Sequence, residues 1–255
     1  MNLVDAALIA AAGLAAGTIN TIVGSGSLVT FPTLLALGYP PLTANVTNTV
    51  GLVLGTASGT YGYRAELSGQ ARRARLLLPA ALAGGATGAL LLLALPGTTF
   101  EQVVPWLILL AVALVIVQDT LAEWVTRWRR AVNPSASHEA ELLAIVFVYL
   151  TGIYGGYFGA AQGVILIAVL GLFLPDLLQR TNAMKNLVAF VVNGVAAVIF
   201  AIVAPVDWAA ALPLALGAIA GGQVGATLGR RLPAAVLRAA IIVIGTGVAV
   251  QLLIS

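Results

Sequence analysis

The stretch GTINTIVGSGSLVTFPTLLALG, residues 17–38, is apolar on both sides of a break made of four small residues, Gly24, Ser25, Gly26 and Ser27. The run after the break, 27–38, has only twelve residues, whereas a helix needs roughly 20 to cross a bilayer. A second stretch, AAQGVILIAVLGLFL at 160–174, repeats the design with a break at 160–163 and a short apolar run over 163–174. Irregular backbone at membrane depth is tolerated only where protein or a cavity covers it. Each place therefore reads as a discontinuous or re-entrant helix inside a larger bundle.

The rest of the chain supplies the bundle. Hydrophobic residues make up 60% of the 255 and charged residues 8%, against about 25% charged in a soluble domain. So few charges leave too little polar surface to face water, and the chain reads as an all-α polytopic membrane protein. Ten apolar segments are expected, at 5–23, 27–38, 44–63, 76–95, 102–122, 141–158, 163–174, 184–204, 208–229 and 234–254. The absence of cysteine rules out disulfides, thiolate metal sites and a cysteine nucleophile. The start, MNLVDAALIAAAG, has no positive n-region, so it reads as a retained segment. The arginines lie in loops without interleaved aromatics, which excludes nucleic acid as a partner.

Adding 137 to a residue number maps about 26–96 onto the second half without a gap. Gly26 then meets Gly163, Asn45 meets Asn182, Gly84 meets Gly221, and Pro96 meets Pro233. Such a fixed offset marks an internal duplication. The expected division is a first membrane repeat over 1–122, a cytoplasmic linker over 123–140 and a second repeat over 141–255. Arginines cluster at 64–75, 127–130 and 230–238, and the positive-inside rule puts those loops in the cytoplasm. The repeats then run in opposite directions, with both termini outside. Inverted repeats with broken helices are common in secondary carriers, whose substrates bind near the midplane where the breaks meet.

At each break, backbone N–H groups of a helix N-terminus and the macrodipole favour an anion. Gly24, Ser25, Gly26 and Ser27 would form one half of the site, and Gln162 and Gly163 the other. The competing reading is a glycine bend that only turns the chain. Asn20, Asn45, Asn48, Asn182, Asn186 and Asn193 lie within or at the starts of apolar segments. Amides there must face the interior, as substrate donors or as interhelical glue. Lys185 is the only lysine, beside eleven arginines. A cation deep in a bundle costs about 2.5–3.5 kcal/mol, so it either snorkels to the headgroups or meets an anionic substrate. No carboxylate relay, ATP-binding motif, catalytic triad or metal cluster is visible, and neither an enzyme activity nor a cofactor is expected.

Four stretches carry a family resemblance: 17–38 above, TANVTNTVG at 43–51, LPDLLQRTNAMKNLVAFVVNGVAAVIF at 174–200 and GAIAGGQVGATLGRRLP at 217–233. Together they resemble the sulfite exporter TauE/SafE family, also called the toluenesulfonate uptake permeases. The second half departs from that pattern, with AAQG and no following proline. The resemblance implies a bacterial inner-membrane permease for sulfite, sulfoacetate or other organosulfonates, with export taken as the direction. Its partners would be a small anion and membrane lipid, and a homodimer is allowed for. An anion channel or a scaffold subunit without flux is the alternative.

The arginine placement generates a topology test. Single cysteines at Ser68 and Ser135 should label only from the cytoplasm, and those at Thr98 and Ser255 only from outside. Labelling of Ser68 and Thr98 from one side would remove the inverted arrangement.

Overall fold

The computed structural model describes residues 2–132, 138–174, 176–228, 242–243, 245–250 and 252. Ten helices occupy the described residues: α1 (Leu3–Ile22), α2 (Ser27–Ala36), α3 (Pro41–Gly62), α4 (Arg64–Leu67), α5 (Ala71–Ala94), α6 (Gly97–Val132), α7 (His138–Tyr157), α8 (Gln162–Phe173), α9 (Leu178–Val203) and α10 (Trp208–Leu228). The protein is an all-α polytopic membrane protein. Six of the helices, α1, α5, α6, α7, α9 and α10, are long and apolar enough to cross a bilayer. The two short helices fall where the sequence places them, α2 after the GSGS break and α8 after AAQG. The expected segment at 234–254 falls largely outside the described residues.

Two elements differ from expectation. α6 continues to Val132 instead of ending at 122. Residues 122–132, AEWVTRWRRAV, hold no glycine or proline to stop a helix, so the expected linker begins as helix. α3 is long enough to span but does not belong to the apolar set. Its Asn45, Thr47, Asn48 and Thr49 are buried, which makes it an interior helix screened from lipid by its neighbours.

Small residues set the packing. Gly13 and Gly17 of α1 press on Leu214 and Ala218 of α10, and Gly217 and Gly221 press back on Ala10 and Leu14. Gly84, Gly85 and Gly88 of α5 meet Gly152, Val192 and Ile153 in the same manner. Lipid gives helices no hydrophobic incentive to associate, so close backbone approach of this kind carries the assembly. Between these pairs the two breaks meet. Gly163 N–H donates to Gly24 O at 3.0 Å, and a Cβ built on either glycine would overlap the other's Cα. Gly24 also needs a left-handed φ of 87°, which glycine adopts without steric cost.

One face of the bundle gathers Arg72, Arg73 and Arg180. Arg72 grips Glu141 at 2.5 and 3.0 Å. Arg73 donates to Asp176 at 2.7 Å, and Arg180 donates to Asp176 and to Ser68 O. Gln70 ties Glu66 O to Arg180 O. The loop after α3 and the starts of α7 and α9 thus share one side, as the charge pattern expects. Loops 38–40 and 204–207 meet elsewhere, where the Asp207 N–H donates to Thr47 Oγ1. Trp106, Trp124 and Trp208 are exposed, as belts at a membrane interface require.

Two measurements follow from this architecture. Gly163→Ala should lower the melting temperature clearly, because a methyl forced into a packed backbone crossing costs about 1–3 kcal/mol. Gly247→Ala, with nothing within 4 Å of its Cβ position among the described residues, should leave it unchanged. The second concerns Asp176. Burial disfavours its charged form, but the Leu177 N–H and the Arg180 and Arg73 guanidinium groups outweigh that and hold its pKa below the usual carboxylate value. A depressed pKa contributes stability above the unfolded value of about 4, lost as pH falls through the folded one. The melting temperature should therefore drop on acidification below pH ~4, and Asp176→Asn should abolish that part of the drop.

Candidate functional site: a polar cavity where the two breaks meet

Around the Gly24–Gly163 contact lies a small cavity lined from both halves of the chain. The first half contributes Asn20, Ser27, Thr49 and Leu52, and the second contributes Phe158, Gly159, Gln162, Gly163, Ala189 and Asn193. In this conformation the space has room for about one water molecule. Its polar lining is amide and hydroxyl, with no charged side chain among the described residues.

The backbone explains the placement. α2 begins its ladder with Leu28 N–H to Ser25 O at 3.1 Å and Val29 N–H to Gly26 O at 2.9 Å. The N–H groups of Ser25, Gly26 and Ser27 precede that ladder and have no intrahelical acceptor. α8 opens on Ala161, held in the left-handed region at φ 58°, a conformation uncommon outside glycine. That turn aims Gln162 inward, where its carboxamide lies against Gly155 in space that any side chain there would fill. Ser25 Oγ and Gln162 Nε2, equivalent under the offset of 137, are both buried and without a partner among the described residues. Buried polar atoms are ordinarily satisfied; Asn45 Oδ1 and Asn182 Oδ1, equivalent under the same offset, form a second such pair among the described residues.

Of the residues expected from sequence, Asn20, Ser27, Gln162 and Gly163 line the cavity. The others flank it. Gly24 makes the crossing, and Gly26 packs against Ala16 and Asn20. Asn45 donates to Tyr157 O at 3.0 Å, joining the halves. Asn48 donates to Ser27 Oγ at 3.2 Å and accepts from Thr30. Lys185 is not in the lining. Its Nζ donates to Asn20 O at 3.0 Å and Thr21 O at 3.1 Å, at the C-terminus of α1. Asn182 and Asn186 donate to the same Thr21 oxygen at 3.3 and 3.2 Å. These three side chains, one turn of α9, satisfy carbonyls that α1 leaves open and complement the negative end of its dipole.

The lining residues that sequence reasoning passed over are Thr49, Leu52, Phe158, Gly159 and Ala189, whereas Asn193 was expected as an inward-facing amide. Leu52 and Ala189 are related by the offset of 137, and that relation was the available signal. Phe158 belongs to an aromatic cluster, edge-on to Phe31 at 5.4 Å and near Phe100 at 6.2 Å. Phe100 lies in the first turn of α6, so the cluster separates the cavity from the loop before α6. Toward the arginine face a vestibule of about 900 Å³ opens, lined by Val23, Asp119, Arg127, Val164, Asp176 and Asn182 among others. Val164 adjoins Gly163, so cavity and vestibule approach each other across the crossing.

Comparison with known proteins agrees with this architecture. The chain is 28% identical over 249 residues to a probable membrane transporter protein, ORF9, of Sinorhizobium sp, covering 95% of this chain and 90% of that protein. It is 25% identical over 226 residues to a probable membrane transporter protein of Haemophilus influenzae, covering 87% and 84%. A probable membrane transporter protein of Escherichia coli, YfcA, is 25% identical over 223 residues, covering 84% and 76%. No solved structure matches the chain. Residues 9–252 match the family described as Sulfite exporter TauE/SafE, and this multi-pass membrane protein belongs to that transporter family.

Proposed function

We propose that the protein is a secondary transporter for small sulfur-containing anions, such as sulfite, sulfoacetate or other organosulfonates, working by alternating access. The observation that carries the proposal is the buried polar cavity built jointly by two broken-helix turns. Backbone N–H groups at 25–27, with Ser27, Gln162 and Asn193, are the donors for sulfonate oxygens. Leu52, Phe158 and Ala189 form the apolar wall. The aromatic cluster packs beside Phe158 of the cavity, and the vestibule approaches the cavity across the crossing, from where alternating access would open it.

The pairing of helices supports an inverted duplication. If α1, α2, α3 and α5 correspond to α7, α8, α9 and α10, the contact of α1 with α10 becomes that of α7 with α5. Both pairs are glycine-packed. With the arginine face in the cytoplasm of a bacterial inner membrane, both termini are external and the vestibule faces inward. The two halves are 1–122 and 141–255, the stretch between them being helical as far as Val132. Asn45, Asn48, Asn182 and Asn186 then hold the frame around the site.

Counterflow in proteoliposomes tests the proposal. Preloaded methanesulfonate or sulfite should accelerate entry of the same labelled anion, with saturation. Gln162→Ala and Asn193→Ala should each raise the half-saturating concentration about tenfold or more, the value of a hydrogen bond to a charged group. Arg180→Gln, outside the cavity, should not. Flux without saturation would assign a channel, and no flux at all would assign a scaffold.

A further inference from the structure

The chain uses arginine for every cation but one. All the described arginines are exposed or half-buried, whereas Lys185 is 1% exposed. The buried position therefore holds the one cationic side chain that readily releases its proton, which arginine does not. Its two acceptors are carbonyl oxygens of Asn20 and Thr21, and no carboxylate among the described residues pairs with it.

The helices around it bring no substitute. α8 has no ionisable side chain, and Asp5 lies at the far end of α1. α3 has only Tyr61, exposed near its end, with buried Tyr63 beyond it. α4 has Arg64 and Glu66, and α5 has Arg72, Arg73 and Arg75 in its first turns. α7 has His138, Glu139 and Glu141 at its start, then Tyr149, Tyr154 and Tyr157. On α9 itself, Arg180 is bound to Asp176. None of these bonds to Lys185 among the described residues, so carbonyl dipoles alone hold the ammonium.

We infer that Lys185 carries one proton with each anion, making the protein a proton–anion symporter. The inference rests on the transport reading above. Asn20 links the two functions, because the residue lines the cavity while its carbonyl holds the ammonium. Alternating access must move the α1–α2 turn relative to α9 and withdraw those carbonyls. A bare ammonium inside the bundle is then costly. A monoanion in the cavity balances it, and the loaded carrier crosses as a neutral pair. On release the anion enters water, an N–H bond of Lys185 breaks, and the proton passes to the same compartment. The electron pair stays on nitrogen, and the empty carrier returns with a neutral amine.

The test uses the full-length protein in proteoliposomes with methanesulfonate, which is fully ionised and brings no proton of its own. With the membrane potential clamped at zero, a pH gradient of one unit should concentrate methanesulfonate about tenfold on the alkaline side. An entrapped pH dye should record one proton per anion. Lys185→Arg should retain slowed but measurable exchange and lose the gradient-driven accumulation. Intact exchange with no proton movement in the wild type would overturn the inference and leave the transport reading standing. Wild-type accumulation by Lys185→Arg would also overturn it. No methanesulfonate exchange in the wild type would remove the organosulfonate reading, and this inference with it.

Discussion

The rest of the structure depends on one backbone contact, the approach of Gly24 to Gly163 with its single N–H···O bond. Two helices that stop inside a membrane leave open carbonyls at one end and open N–H groups at the next. Lipid can satisfy neither. Placing the breaks against each other surrounds both with protein, and the absence of side chains at the two glycines lets them come within hydrogen-bonding distance.

The two kinds of open group are handled differently. The carbonyl end of α1 is capped by three donors from one turn of α9, Asn182, Lys185 and Asn186. The N–H end of α2 keeps its first donors, and buried Ser25 and Gln162 add polar atoms without partners among the described residues. The result is an electrical asymmetry across a few residues: a cation committed to carbonyls on one side, neutral donors around a small space on the other. On the transport reading, the substrate occupies the side left unsatisfied.

The glycine-packed pairs α1/α10 and α5/α7 flank this centre. Their contacts join elements from opposite halves of the chain. The aromatic cluster around Phe158 ties α2, α6 and the α7–α8 turn together, and the Arg73–Asp176–Arg180 network ties the start of α5 to the start of α9.

Composition alone determined that this chain lives in a membrane as helices, because 8% charged residues cannot cover a soluble globule. The local chemistry of GSGS and AAQG determined where two of those helices break, since small residues and a short apolar run are properties of contiguous sequence. Asn20, Ser27, Gln162 and Gly163 were legible as residues of the breaks that line the cavity, and Asn193 as an amide that must face inward. Thr49, Leu52 and Ala189 were not, because each sits in an ordinary helical run and reaches the cavity only through the rotation of α3 and α9. Tertiary structure alone decided the partner of Lys185. Its neighbours in sequence are amides, but the atoms that hold its charge are backbone carbonyls 164 and 165 residues away. A carbonyl has no side-chain identity, so no residue type in the sequence could announce it.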